Sequence, residues 1–314
     1  VYGFSELKKK FNLKYINIPL KKKIFQSASK EYVEKFVRLH ENNYSDIIEI
    51  HNRPNYVSLI SRLQSKIILY FHNDPLTMIG SKSSNERIYL LDKCSKIIFN
   101  SEWSKKRFLT KLKNIYHKSS KLVVIHQSIN KTNINIQKKQ KLITFVGKLN
   151  AAKGYDLFGN AITKILDKHS QWKSIVIGDE KREKLSFSHK NLKIIGFQDH
   201  KKVLDIFKKT SIAVACSRWE EPFGRTSLEA SSRGCAVIIS NRGGLPETIT
   251  NGVIIRNLNA RNVYKSIDKL IINKSLRKKL QKLSIKNFYL TDQFITKKID
   301  DYRSSLFVKK INIL

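Results

Sequence analysis

Short runs of β-branched and aromatic residues recur along this chain, separated by amphipathic stretches of helix length. In the first half they are Tyr15–Ile18, Asp46–Ile50, Lys66–Phe71, Lys96–Phe99 and Leu122–Ile125. In the second half they are Leu142–Val146, Ser174–Ile177, Leu192–Ile195, Ile212–Ala215, Ala236–Ile239 and Val253–Ile255. Strands that are apolar along their whole length, with helices between them, belong to parallel sheets covered on both faces. Two such series in succession predict an α/β chain with two doubly wound, Rossmann-like domains. A length of 314 residues fits two cores better than one. The expected boundaries are an N-terminal domain over 1–130, a polar linker over 131–140, a second domain over 141–290 and a closing helix over 291–314. Before Tyr15 there is no strand, glycine-rich turn and helix of the kind that opens such a domain. The first domain is therefore expected to lack its opening strand–loop–helix unit, as a fragment would.

Charge narrows the partners. The chain carries 61 Lys+Arg against 25 Asp+Glu, a net +36. Residues 1–140 hold 27 and 10 of these (+17) and the remainder 34 and 15 (+19), so the excess is spread over both halves. Clusters at Lys8–Lys10, Lys21–Lys23 and Lys105–Arg107 read as solvated faces. No zinc finger, helix-turn-helix or RNA-stacking signature accompanies them, so no nucleic-acid partner is expected. Peripheral contact with an anionic membrane remains an expectation, because basic residues near such a surface each add attraction. Apolar runs such as Ile67–Phe71 are too short for a membrane span. Cys94, Cys216 and Cys235 have no paired spacing, which fits small core residues in a reducing, cytoplasmic setting.

The chemistry concentrates after Ile212–Ala215. There Glu221-Pro222-Phe223-Gly224-Arg225-Thr226-Ser227-Leu228-Glu229 leads from a strand through a loop into a helix that stops at Gly234. A loop at the carboxyl end of a parallel strand is where open α/β sheets bind ligands. Unpaired backbone N–H groups at Gly224–Thr226 and a helix N-terminus favour a phosphate. A second strand, Leu142–Val146, ends in Gly147-Lys148 and runs to Lys153-Gly154 at another helix start. Two cations beside a helix N-terminus suit a diphosphate. His51 and His72 lie just past the ends of two neighbouring strands, and Asn100-Ser101-Glu102 opens a helix with Ser101 as its cap.

The Glu-Pro-Phe-Gly motif with Glu229 eight residues after Glu221, then Gly234-Cys235-Ala236-Val237-Ile238 and Gly243-Gly244-Leu245-Pro246-Glu247, resembles the retaining glycosyltransferases of family 4, which have the GT-B fold of two facing Rossmann-like domains. The resemblance covers nearly the whole chain and is stronger in the second half. It implies that Glu221 contacts the donor sugar, that Glu229 holds the ribose, and that Lys148 and Lys153 hold the diphosphate. Gly147, Phe223, Gly224, Arg225 and Thr226 would complete the donor site, Phe197 and its neighbours would cradle the base, and His51 would lie near the reacting sugar. Lysine at 148 stands where the family more often has arginine, and a lysine lacks the two-pronged guanidinium geometry. No Asp-x-Asp pair occurs and no metal or other cofactor is implied. The expected partners are a nucleotide-diphosphate-sugar donor and a glycan or lipid-linked acceptor, and the motif's form is closest to bacterial transferases building lipopolysaccharide or surface polysaccharide at the inner face of the membrane. Two other classes fit the same residues: a GT-B nucleotide-sugar 2-epimerase, and an inactive basic protein binding nucleic acid or membrane.

Overall fold

A computed structural model describes residues 2–3, 16–18 and 28–307. The lysine clusters at 8–10 and 21–23, and Tyr15, lie outside the described residues. The chain divides into two compact units. One runs to Phe99 and includes Lys105–Val124; the other comprises Asn100–Ser104 and everything from Ile125 onward.

In the first unit β1 (Tyr2–Gly3) and β2 (Ile16–Asn17) form a small parallel ladder, so a strand does stand before Tyr15, contrary to the expectation from sequence: two residues are too short a run to show as an apolar strand. Helix α1 (Ala28–Asn42) precedes a separate parallel sheet of β3 (Ile47–His51), β4 (Lys66–Phe71), β5 (Lys96–Phe99) and β6 (Leu122–Val124). These four strands lie side by side in chain order, so the reversal that defines a doubly wound sheet is not found among them. Helices α2 (Tyr56–Ile60), α3 (Ser84–Lys93) and α5 (Asn114–His117) connect or flank them, as does α4 (Glu102–Leu109) from Lys105 onward, its first three residues belonging to the second unit. A capping box starts α3: Ser83 Oγ accepts from Glu86 N at 3.2 Å while Glu86 Oε2 accepts from Ser83 N at 2.7 Å. Leu69, Phe71, Ile97 and Phe99 pack with Val57, Leu90 and Phe108 into one core.

The second unit contains the expected reversal. Its sheet has the order β12-β11-β10-β7-β8-β9, and each neighbouring pair is parallel. The strands are β7 (Leu142–Val146), β8 (Lys173–Ile177), β9 (Leu192–Ile194), β10 (Ile212–Ala215), β11 (Ala236–Ser240) and β12 (Gly252–Ile255). The helices are α6 (Tyr155–Lys168), α7 (His200–Lys209), α8 (Arg225–Ser232), α9 (Ala260–Ile272), α10 (Lys274–Lys286) and α11 (Asp292–Ser305). Side chains alternate between the two faces of a strand. Ile212 and Val214 therefore join the core under α6 and α9, whereas Ala213 joins the core under α7 and α8. Ile238 and Val237 divide in the same way. Both faces are covered, which is why these strands read as continuous apolar runs.

The stretch Asn130–Gln140 contains a short 3-10 turn, Ile136–Lys138, and a half-buried pin. Lys139 Nζ donates to the carbonyls of Phe207 and Arg233, both at 2.7 Å, at the ends of α7 and α8. A cation there meets the negative end of each helix dipole, while burial pushes the ammonium below its usual pKa. All three cysteines are free and buried.

Gly154 fixes the approach of α6 to β10. Its φ is +73°, and a Cβ on it would stand 1.9 Å from the Cys216 carbonyl oxygen. Both the left-handed backbone and the backbone collision exclude a side chain. Gly154→Ala is expected to lower unfolding stability by about 2 kcal/mol or more, measured by urea denaturation against the unaltered chain.

Candidate functional site

Three strand-end loops of the second unit are laced together at the point where the strand order reverses. The loop after β7 meets the loop after β10 through Ala152 O, which accepts from Arg218 N at 2.9 Å and Trp219 N at 3.0 Å. Arg218 also reaches Asp156 at the start of α6. The loop after β11 joins them: Gly244 N donates to Glu221 O at 2.7 Å, and Ser240 Oγ donates to Ser217 O at 2.6 Å.

A cavity of about 230 Å³ lies among these loops, lined by Phe145, Val146, Gly147 and Lys153 from the β7 side, Ala215, Ser217 and Glu221 from the β10 side, Gly224–Ser227 from the start of α8, and Leu245. Gly224 has φ +110°, and a Cβ there would fall 2.5 Å from Leu245 Cδ2. A glycine thus turns the loop tightly enough to bring the start of α8 to the cavity wall. No side chain caps that helix, so its first N–H groups and the positive end of its dipole face an open space suited to an anion.

Lys153 Nζ and Glu221 Oε1 form an ion pair on the cavity wall, with Glu221 mostly buried and Lys153 partly exposed. Of the residues expected from sequence, Gly147, Lys153, Glu221, Gly224, Arg225 and Thr226 are brought together at this cavity. The others are not among its lining residues. Lys148 is exposed just beyond the end of β7, and Phe197 is 77% exposed past β9. Phe223 is buried, and its ring stacks on His126 with centroids 5.6 Å apart. Glu229 is buried one turn into α8, where Oε1 accepts from His200 Nε2 at 3.0 Å and pairs with Arg225 at 3.4 Å. His200 was not anticipated. It follows the Asp199 cap that starts α7 after β9, so strand-end position was the signal available for it.

Glu247, which ends the Gly243–Glu247 motif, accepts from His126 Nε2 at 2.9 Å and from the amides of Glu102 and Trp103 at 2.7 and 3.1 Å. Burial raises its pKa, and these donors outweigh burial to hold it below the usual range. Ser101 Oγ accepts from Ser104 N at 3.0 Å, as a capping serine does.

The first unit holds its own histidine pair. Asn52, with φ +60°, turns the chain after β3 and accepts the amides of His72 and Asn73 on Oδ1, each at 3.2 Å. His51 Nδ1 and His72 Nε2 are 3.0 Å apart, and Tyr70 stacks on His51 at 4.3 Å. Burial, and then the neighbouring His51, lower the His72 pKa to about 4.

The profile of the family "Glycosyl transferases group 1" matches residues 126–287, just over half of the chain. The chain belongs to that family. Among relatives of this group 1 chain, the Bacillus subtilis spore coat protein SA is 30% identical over 162 residues, covering 46% of the chain and 43% of that protein. The putative glycosyltransferase YtcC of the same organism is 25% identical over 275 residues, covering 76% and 66%. The chain thus matches less than two thirds of the length of either. Its fold is also that of Anabaena HepE, solved in complex with UDP-glucose, at TM-score 0.69 and 16% identity over 88% of this chain and 82% of that one. This likeness confirms the GT-B class of two Rossmann-like domains built on parallel sheets.

The histidine pair of this group 1 chain gives a pH prediction. A neutral, half-buried His72 contributes its stability fully above about pH 6.5, the ordinary imidazole value, and loses it as pH falls towards about 4. In that window the unfolded chain binds the extra proton. Urea unfolding from pH 7.5 down to pH 4 should show stability falling with pH, and His72→Gln should flatten that slope. An unchanged slope in the variant would refute the assignment.

Proposed function

We propose that this chain is a retaining transferase that moves a sugar from a nucleotide-diphosphate sugar to a glycan or lipid-linked acceptor. The observation carrying this reading is the cavity at the sheet's reversal point, where Lys153, Glu221 and the uncapped start of α8 converge. A diphosphate would lie against the Arg225 and Thr226 amides with Lys153 beside it, and the exposed Lys148 would reach the same phosphates. Glu221 would accept hydrogen bonds from the sugar's hydroxyls. Glu229, held by His200 and Arg225, would bind the ribose, and the backbone near Phe197 would cradle the base.

In this mechanism the bond between the anomeric carbon and the diphosphate breaks while cations and helix-start amides stabilise the charge that develops on the leaving group. That is electrostatic stabilisation by groups already in place. The acceptor hydroxyl oxygen then bonds to the anomeric carbon on the same face, and its proton passes to the departing diphosphate oxygen. His51, in the first unit, is assigned to the neighbourhood of the reacting sugar. Protein cations take the part that a divalent ion plays elsewhere, so the reaction is proposed to need no metal. UDP-glucose bound to HepE, a protein of the same fold, supports a nucleotide-sugar donor. The form of the Glu221–Glu229 motif supports an acceptor of the lipopolysaccharide or surface-polysaccharide kind.

Calorimetric titration with UDP, GDP and ADP tests the donor site. One nucleotide should bind tightly, and Lys153→Ala and Glu229→Ala should each weaken it by about 10- to 100-fold, as expected for loss of a hydrogen bond to a charged group. Equal, weak binding of all three nucleotides, unchanged in both variants and abolished by salt, would overturn the assignment.

A further inference from the structure

The positive charge is dispersed along the sequence, yet one helix departs from the rest. Among the described helices of eight or more residues, α10 is the one without a carboxylate; each of the others carries at least one Asp or Glu. Its 13 residues contain Lys274, Arg277, Lys278, Lys279, Lys282 and Lys286.

Polar contacts fix which side of α10 faces out. Its buried residues are Arg277, Gln281 and Ser284. Arg277 lies over the Trp172 ring at 5.0 Å and donates to Ile271 O at 2.9 Å; Gln281 Nε2 donates to Ser211 O at 2.9 Å; Ser284 Oγ donates to Asn251 O at 3.1 Å. At 100° per residue, Lys279, Lys282 and Lys286 fall on the opposite arc, where all three are exposed. Lys274 and Lys278 border it. Lys278 reaches Ile136 O at 3.2 Å, and its ammonium is pushed below its usual pKa by burial and then by the like charges of Arg277, Lys274 and Lys282.

We propose that the lysine face of α10 docks on an anionic phospholipid bilayer. Charge complementarity calls for an anionic surface, and the flanking residues favour lipid over nucleic acid. Ile272, 65% exposed, immediately precedes the α10 cap residue Asn273, and Tyr289 and Phe294, 45% and 47% exposed, follow the helix with rings packed edge to face. Lysines bracketed by exposed apolar and aromatic side chains have the composition of a surface that sits at headgroup level. No helix among the described residues is long and apolar enough to cross a membrane. None of these residues lines the cavity, so the proposal stands apart from the function proposed above.

Sedimentation with mixed phosphatidylglycerol–phosphatidylcholine vesicles, against phosphatidylcholine alone, tests it. The variant Lys279→Gln/Lys282→Gln/Lys286→Gln should bind the anionic vesicles about 100-fold more weakly, at about fivefold per lysine. The control Lys201→Gln/Lys202→Gln/Lys209→Gln removes the same charge from exposed positions of α7 and should change binding by less than about fivefold. Melting temperatures recorded alongside show whether both variants are folded. Equal losses in the two variants would mean bulk charge and overturn the proposal, as would unchanged binding in the α10 variant. A DNA duplex held more tightly than the vesicles, through the same α10 lysines, would replace lipid with nucleic acid.

Discussion

The contact on which the candidate site depends is the approach of the Gly154 backbone to the Cys216 carbonyl. It sets the start of α6 directly against the end of β10, which no residue with a Cβ could allow. That approach puts Ala152 O within reach of the Arg218 and Trp219 amides and places Lys153 opposite Glu221. The loop after β11 is tied to the same structure through Glu221 and Ser217. A rearrangement of any one loop would have to break backbone hydrogen bonds of another, so the cavity wall is held by the sheet instead of by side-chain packing alone.

Much of this was legible in the sequence because the relevant signals are local. Continuous β-branched runs mark strands buried on both faces, and ten such runs coincide with β3–β12 to within a residue at each end. The passage from strand to glycine loop to helix around Gly224 is likewise written in consecutive residues. What was not legible involves partners distant in sequence. His200 meets Glu229 because two strand-end segments 29 residues apart converge. The Phe223 ring turns inward because His126 offers it a stacking partner nearly a hundred positions away.

Lys139 illustrates the same limit. A lysine in a polar, glycine-free stretch reads as a solvated linker residue, and nothing nearby in sequence says otherwise. Its role depends on the ends of α7 and α8 arriving side by side, where one ammonium can reach the Phe207 and Arg233 carbonyls together. Similarly, counting residues shows that α10 is basic throughout. Only the buried Arg277, Gln281 and Ser284 reveal which lysines face outward. The strand order of the first sheet depends on pairing across loops, and the pattern of individual strands does not encode it.

The pairing of Lys153 with Glu221 has a further consequence for selectivity. Any anion entering the cavity competes with a carboxylate for the same ammonium, and success leaves that buried carboxylate without its counter-ion. A bare phosphate brings nothing to replace what Glu221 loses. A molecule carrying an anionic group together with hydroxyl donors a few bonds away satisfies both partners at once. The ion pair therefore already neutralises the cavity wall against simple ions, and favours those ligands able to exchange two interactions for one.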